Sequence, residues 1–155
     1  MLKPPLLSEV GKVIPHNHPE ILPEDWVIRF ISNQWIVDDP KFAEGKRISS
    51  EAWQKSSGDN EGMSVNLQRL IEEDGLDARA FSAPASIKMN VGAIRELNFM
   101  VGYDPIKDVP TIPDNPYHCQ VWGQFSTGRS KALRNHSEWF VPILGVSIGK
   151  DADRC

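Results

Sequence analysis

The pattern of apolar and polar positions along the chain predicts short strands that alternate with short helices. Residues 26–31 (WVIRFI) carry apolar side chains on both faces of an extended segment, which is typical of a strand covered on both sides. Residues 117–122 (YHCQVW) have a period of two that places Tyr117 and His118 on opposite faces, and they predict another strand. Further strands are predicted at 87–91, 99–103 and 144–148, with 35–37 as a hairpin partner of the first strand.

Helices are predicted where a serine precedes apolar residues spaced three and four apart. Ser64 stands before such a pattern over residues 65–74, and Gly75 follows where a helix-terminating glycine is expected. Ser126 stands before a second amphipathic segment that continues to about Phe140. Shorter helical segments are predicted at 48–53, 77–81 and 91–97.

These elements predict a single α+β domain. We expect a mixed, mainly antiparallel sheet of about four to six strands with about three or four helices packed on it. The domain covers residues 21–148, after an extended Pro-rich N-terminal arm at 1–20 and before a polar tail at 149–155. A flexible loop is predicted at 56–62.

Composition narrows the class of protein. Hydrophobic residues make up 40% and charged residues 25% of the 155 positions, which is ordinary for a soluble globular chain. The net charge of −4 does not indicate a nucleic-acid partner, and no apolar run approaches the length of about 18 residues that a membrane span needs. Because Cys119 and Cys155 make no disulfide framework, a cytoplasmic location is expected. No cofactor motif is present, so no cofactor is expected.

The candidate chemistry lies beside a proline-rich segment. Residues 104–116 contain four prolines, which exclude regular structure and predict a stiff loop, either functional or an extended connector. His118 follows this loop and is a candidate general acid or base. Arg29, on the first predicted strand, would hold a phosphate or carboxylate, or else form a structural ion pair. Ser64 and Tyr117 complete the candidate set.

A metal site is not the favoured interpretation of the histidines. His16 and His18 are two residues apart on an extended segment and point the same way, which would suit a shared ion. Their spacing matches no standard zinc motif. We therefore expect no metal, with a polar loop before Pro19 as the simpler interpretation. A third ligand would have to come from His118, Cys119 or His136.

Two short segments suggest a family. Val27-Ile28-Arg29 and Arg47-Ile48-Ser49-Ser50 resemble the early strand and the following serines of ADP-ribosyltransferase-like domains. That resemblance implies a nucleotide substrate bound near Arg29. The catalytic glutamate of such domains has no clear counterpart in this chain.

The absence of a specific catalytic motif favours an interaction or regulatory subunit of a bacterial-type protein complex, with a protein partner or a homo-oligomer. The alternative is a small enzyme acting on a nucleotide or nucleic acid, either ADP-ribosyltransferase-like or a His-dependent RNA or nucleotide processing enzyme. The enzyme requires Arg29 and His118 in one cleft, with Ser64 or Tyr117 nearby. An interaction protein would instead separate them and expose an apolar patch containing tryptophan.

Overall fold

The fold is built from eight strands and four α-helices in the part of the chain that the structure describes, which is residues 2–56 and 62–155 of a computed structural model. The strands are β1 (Trp26–Phe30), β2 (Ile36–Asp38), β3 (Lys46–Ile48), β4 (Met63–Leu67), β5 (Ser86–Asn90), β6 (Met100–Tyr103), β7 (His118–Trp122) and β8 (Ser137–Val141). The α-helices are α1 (Gln68–Glu73), α2 (Ala78–Phe81), α3 (Val91–Glu96) and α4 (Thr127–Asn135). Short 3-10 helices occupy Asn33–Trp35, Ser50–Trp53 and Asp151–Asp153.

Six of these strands form one sheet in the order β6-β7-β4-β1-β5-β8, and β2 and β3 form a separate two-stranded sheet. Every pairing in the large sheet is antiparallel. This arrangement confirms the predicted α+β class and its mainly antiparallel sheet. Among the described residues, no helix is both long enough and apolar enough to cross a membrane.

The two faces of the sheet carry different kinds of side chain. Ile28 lies opposite Asn66 on β4, and Asn66 lies opposite His118 on β7, so these three side chains share one face. We call it the His118 face. Because side chains alternate along a strand, Arg29 and Cys119 lie on the other face, the Arg29 face.

The Arg29 face holds the main core. Trp53 and Leu133 are fully buried, and the Trp53 indole N–H donates to the Ser137 hydroxyl over 2.9 Å. That hydroxyl in turn donates to the Leu133 carbonyl over 2.8 Å. These bonds connect the 3-10 helix at Ser50–Trp53, strand β8 and helix α4, so both helices are held against this side of the sheet.

The helix predicted to start after Ser64 is wrong in its first half. Ser64 lies within β4, which pairs with β1 on one side and β7 on the other, and α1 begins only at Gln68. Val65 and its neighbours gain ladder hydrogen bonds on both edges, and this tertiary gain outweighs the helical spacing of the leucines. Gly75 does end α1 with a φ of 77°, as predicted.

The second amphipathic helix is correct at its start and wrong at its end. The Ser126 hydroxyl accepts from the Arg129 amide, which confirms the predicted cap. Helix α4 ends at Asn135, and the residues up to Phe140 belong to β8, which pairs with β5. Aromatic residues favour strands, so their helical spacing did not decide the structure.

Three smaller predictions concern the segments 35–37, 144–148 and 56–62. Residues 36–38 pair with β3 and not with β1, so the predicted hairpin is wrong. The strand predicted at 144–148 is wrong, since in the described chain this segment makes only an isolated bridge between Ser147 and Arg47. Within the predicted loop at 56–62, positions 57–61 lie outside the described residues.

Hydrogen bonds hold both ends of the chain against the rest of the fold. In the tail, Asp151 accepts from Arg134 over 2.8 Å, and the Cys155 amide donates to the Lys41 carbonyl over 2.8 Å. At the other end, residues 16–18 run along the outer edge of β6. The division of the chain into arm, domain and tail stays a prediction.

The arm satisfies the backbone groups that β6 would otherwise expose at the sheet edge. The Val101 carbonyl accepts from the His18 amide over 3.0 Å, and the Val101 amide donates to Asn17 Oδ1 over 2.9 Å. The Tyr103 amide donates to His16 Nε2 over 3.1 Å. Unpaired strand edges invite association with other strands, and the arm therefore protects this one.

Gly102 allows the arm to lie this close to β6. A Cβ at Gly102 would lie 2.6 Å from the His16 carbonyl oxygen and 2.6 Å from the Trp122 ring. We expect Gly102→Ala to lower the free energy of unfolding by about 1–3 kcal/mol, as overpacking does. Urea denaturation measures this loss.

Gly128→Ala is the matched control, because Gly128 lies in α4 and a Cβ at this position would meet no atom within 4 Å. That substitution should leave stability unchanged or raise it by up to about 1 kcal/mol. Native-like stability of Gly102→Ala would contradict the close packing of the arm on β6.

Candidate functional site

A cleft of about 800 Å³ opens on the His118 face between the N-terminal arm and the loop at 104–116. Its floor is formed by Ser64 from β4 and by His118, Gln120 and Trp122 from β7. Its walls are formed by the arm segment 4–15 and the loop segment 104–112. A volume of this order, about 300–1,000 Å³, is typical of sites that hold a ligand or a peptide side-chain group.

The proline-rich loop is held in place by a few polar contacts. Ile106 and Asn115 exchange backbone hydrogen bonds of 2.9 and 2.8 Å, which close the loop on itself. The Asn115 side chain donates to Asn66 Oδ1 on β4 over 2.8 Å. With its ends tied together and to the sheet, the loop is a preformed wall of the cleft.

His118 is oriented by the first residue of this loop. Its Nδ1–H donates to the Asp104 carbonyl over 2.7 Å, and Asp104 Oδ2 lies 3.7 Å from the same nitrogen. A carbonyl oxygen only accepts, so in the neutral ring the proton is on Nδ1 and the lone pair is on Nε2. His118 is 8% exposed and reaches the cleft, where this lone pair can take a proton or a hydrogen bond.

Gln120 fixes the Asp104 carboxylate from the same strand. Its Nε2 donates to Asp104 Oδ2 over 2.6 Å, which also settles the orientation of the amide, because a carboxylate needs a donor. The Gln120 Oε1 atom is buried and has no partner in residues 2–56 and 62–155. Among the residues that the structure describes, the only acidic side chain lining the cleft is therefore already engaged.

Ser64 and Tyr117 have different positions. Ser64 lies directly opposite Gln120 and lines the cleft beside His118. The Tyr117 hydroxyl donates to Asp74 Oδ2 over 2.7 Å, and this bond raises the pKa of Tyr117. The Tyr117 ring packs edge-on against Phe81 at 5.3 Å. The structure therefore brings Ser64 and His118 together and places Tyr117 outside the cleft.

Arg29 lies on the opposite face of the sheet from His118. It is 5% exposed, and its guanidinium donates to the backbone carbonyls of Ala52 at 2.6 Å, Ser64 at 2.8 Å and Gln54 at 3.5 Å. Burial lowers the pKa of Arg29 to about 10, so the group still carries its charge at neutral pH. Its partners are backbone dipoles and not the carboxylate that an ion pair would need. Arg29 and His118 do not share a cleft.

The remaining candidates have structural surroundings. Cys119 is fully buried, and burial raises the pKa of its thiol, which keeps it unreactive. His16 and His18 bond to backbone atoms, and His136 is exposed at the end of α4. Across the described residues, no group of three or more His, Cys, Asp or Glu side chains could hold a metal ion.

Comparisons with protein-family models, curated proteins and solved structures find no match to this chain. The likeness to ADP-ribosyltransferase-like domains therefore stays a prediction. In the structure, Arg47 donates to Asp39 over 2.7 Å and Ser49 precedes a 3-10 helix. Neither residue is among those that line the cleft.

The sequence patterns did not predict the apolar rim of the cleft. Leu7 and Ile14 on the arm and Val109 and Ile112 on the loop are exposed and line its mouth. A signal was available, because all four are large apolar residues within proline-rich segments. Such segments cannot bury them through a regular amphipathic element.

The buried position of Arg29 predicts a role in stability. Arg29→Ala leaves the carbonyls of Ala52 and Ser64 without their donors in the core, so we expect the free energy of unfolding to fall by about 3–5 kcal/mol. Urea denaturation measures the change. Arg129→Ala, a half-buried position on α4, should stay within about 0.5 kcal/mol of the native protein. Equal stability of the two variants would show that Arg29 is not a structural residue.

Proposed function

We propose that the chain is an interaction or regulatory protein whose cleft binds an apolar, acidic segment of a partner protein. The distribution of exposed apolar side chains carries this proposal. Ten large hydrophobic residues are exposed in the described chain, and six of them lie on the two segments that form the walls of the cleft. These six are Leu6, Leu7, Val10, Ile14, Val109 and Ile112, and all but Leu6 and Val10 line the cleft itself.

This clustering costs free energy in the isolated protein. Leu7 is 58% and Ile112 is 47% exposed at the mouth of the cleft, so their side chains face water without contributing to the core. A partner that covers them removes this area from water, at about 25 cal/mol for each Å². Trp122 lies at the floor of the same cleft but is itself buried, so the exposed apolar side chains of the walls supply the contact area.

The charges around the cleft favour an acidic segment. Lys12 on the arm and Lys107 on the loop line the walls, and neither takes part in an ion pair within the described residues. Asp104, whose carboxylate accepts from Gln120, is the one acidic residue of the lining among the described residues, so the two lysines outnumber it. A partner carboxylate would therefore find two ammonium groups at the rim, which adds specificity and steering.

The separation of Arg29 and His118 also supports an interaction protein over the enzyme alternative. An enzyme acting on a nucleotide would use the arginine as an anion-binding group beside the histidine. In this fold the arginine faces three backbone carbonyls on the far side of the sheet.

Peptide selection tests the proposed interaction. A displayed library of random peptides is selected on the immobilised full-length chain, and the affinities of the enriched peptides are measured by calorimetry. We expect apolar peptides that contain Asp or Glu. Ile112→Asp should weaken them at least about tenfold, because it places a charge in the apolar rim. Lys107→Glu should weaken acidic peptides more than neutral ones.

Leu144→Asp is the matched control, because Leu144 is 93% exposed and is not among the residues that line the cleft. It should leave peptide affinity unchanged. Enriched peptides that bind Ile112→Asp and the native chain equally would refute the proposed site. If the cleft is instead covered by a second copy, sedimentation should show a dimer that Ile112→Asp dissociates.

We propose acid–base catalysis on a nucleotide as the second candidate, on the strength of one observation. The Nδ1–H bond to Asp104 leaves His118 Nε2 as a proton acceptor at the cleft floor. Lys12 and Lys107 would then face the phosphates. In assays of ATP, NAD and a short RNA, His118→Ala should abolish turnover by the native chain. His136→Ala, at an exposed position, should retain it. Turnover that survives His118→Ala excludes this candidate.

A further inference from the structure

In both histidines of the arm, the two ring nitrogens take part in hydrogen bonds. Nδ1 donates and Nε2 accepts in His16, and the roles are reversed in His18. His16 Nδ1 lies 2.7 Å from the Ile14 carbonyl, which only accepts, so this nitrogen carries the proton. His16 Nε2 accepts the Tyr103 amide over 3.1 Å. The ring therefore fits its place only as the neutral Nδ1–H tautomer.

His18 has the complementary arrangement. Its Nε2 lies 2.9 Å from the Lys3 carbonyl and must donate to it. Its Nδ1 accepts the Glu20 amide over 3.0 Å. His18 is 4% exposed and therefore has little access to water that might replace either bond. This ring fits only as the neutral Nε2–H tautomer.

Protonation of His16 would break a bond between the arm and β6, and protonation of His18 would break a bond within the arm. A protonated imidazole has N–H groups at both nitrogens and no acceptor. On His16 the new N–H would face the Tyr103 amide of β6. On His18 it would face the Glu20 amide. In each case two donors meet, and a backbone amide loses the acceptor that the ring nitrogen provides.

Charged groups of both signs lie near the two histidine rings. The Arg95 guanidinium on α3 donates to the His18 carbonyl at 3.1 Å and to Asn17 Oδ1 at 3.1 Å, so a positive charge already lies beside the arm. The Glu20 carboxylate opposes it and accepts from the Lys3 amide at 2.7 Å. Trp122 and Tyr103 contribute rings at 5.3 Å from His16 and 6.0 Å from His18. Other charged or titratable groups of this region are Lys3 on the arm, the Arg69–Asp25 pair, in which Arg69 also donates to the Glu20 carbonyl, and the His118–Asp104 pair that follows Tyr103.

We propose that His16 and His18 form a pH switch that docks the N-terminal arm on β6 when both rings are neutral and releases it when they are protonated. The docked arm needs one accepting nitrogen in each ring and so leaves no place for a second ring proton, which is why acid should favour release. Histidine changes charge in the range of about pH 5 to 8, where such a switch would act. Release removes one wall of the cleft and exposes the Val101 and Tyr103 edge groups. This last consequence rests on the proposed function of the cleft.

Amide hydrogen exchange of the full-length protein tests the switch. NMR protection factors, which correct for the intrinsic pH dependence of exchange, are measured for the Val101 and Tyr103 amides between about pH 8 and pH 5. We expect them to fall at least about tenfold in the native protein as the pH falls. The amides of β1 and β5 at the centre of the sheet should stay protected, which separates arm release from global unfolding.

A double variant removes the titration and keeps the acceptors. In His16→Gln the amide oxygen takes the place of Nε2, and in His18→Asn the amide oxygen takes the place of Nδ1. The double variant should protect Val101 and Tyr103 equally at both pH values. His136→Gln, which removes a distant exposed histidine, should behave as the native protein. Constant protection in the native protein, or an unchanged pH dependence in the double variant, would overturn the switch.

The peptide assay separates this inference from the proposed function. If the switch gates the cleft, a selected peptide should bind the native protein at least about tenfold more weakly at about pH 5 than at about pH 8. Comparison with the double variant on the same peptide cancels the titration of the peptide itself. Loss of arm protection in acid without peptide binding at any pH would support the switch and reject the proposed function. Peptide binding with constant arm protection would reject the switch alone.

Discussion

Alternation of side chains across one antiparallel sheet is the constraint on which the candidate site depends. Strands β4 and β7 are hydrogen-bonded in register, so Ser64, Gln120 and His118 must share a face. The same register sends Arg29, on the neighbouring strand β1, to the opposite face. The two faces of the sheet are therefore covered in different ways. One is covered by helices and packed, and the other is covered by two irregular segments that leave a cleft between them.

Polar contacts help to position those two irregular segments. The loop is tied by Asn115 and Asp104, and the arm by the side chains of residues 16–18 on the edge of β6. Because polar anchors hold them, their apolar side chains are free to face outward and line the cleft. This explains how a chain with a well-formed core also presents a cluster of exposed leucine, isoleucine and valine residues.

Side chains of the arm accept hydrogen bonds from the Val101 and Tyr103 amides at the edge of β6. A strand placed beside β6 would be insensitive to pH, because backbone groups do not titrate in the physiological range. The arm instead presents His16 Nε2 to the Tyr103 amide and uses a second histidine to hold its own turn at Glu20. In the proposed switch, the same few hydrogen bonds link coverage of the edge to the protonation state of the arm.

The sequence by itself determined the elements whose local signals agree. The apolar runs at 26–31 and 117–122, the cap at Ser126 and the terminating Gly75 all correspond to features of the structure. The irregular proline-rich loop is also where its prolines require it, because a proline lacks the backbone donor. Tertiary structure decided the cases in which one spacing suits two elements. Ser64 became part of a strand, and the end of the Ser126 helix became β8, since pairing on the sheet outweighed helical periodicity.

The candidate site depended on tertiary structure more than the helices and strands did. The candidates His118 and Ser64 could be named from the chain, and the fold brings them together. Their separation from Arg29 follows from the register in which β1, β4 and β7 pair, which no local pattern encodes. The hydrogen bonds that give His16 and His18 opposite tautomers connect residues far apart in the chain, such as His16 with Tyr103. Residue types determined which chemistry this protein has available, and only the three-dimensional contacts decided where each group acts, because hydrogen-bond partners and sheet faces are set by the folded chain.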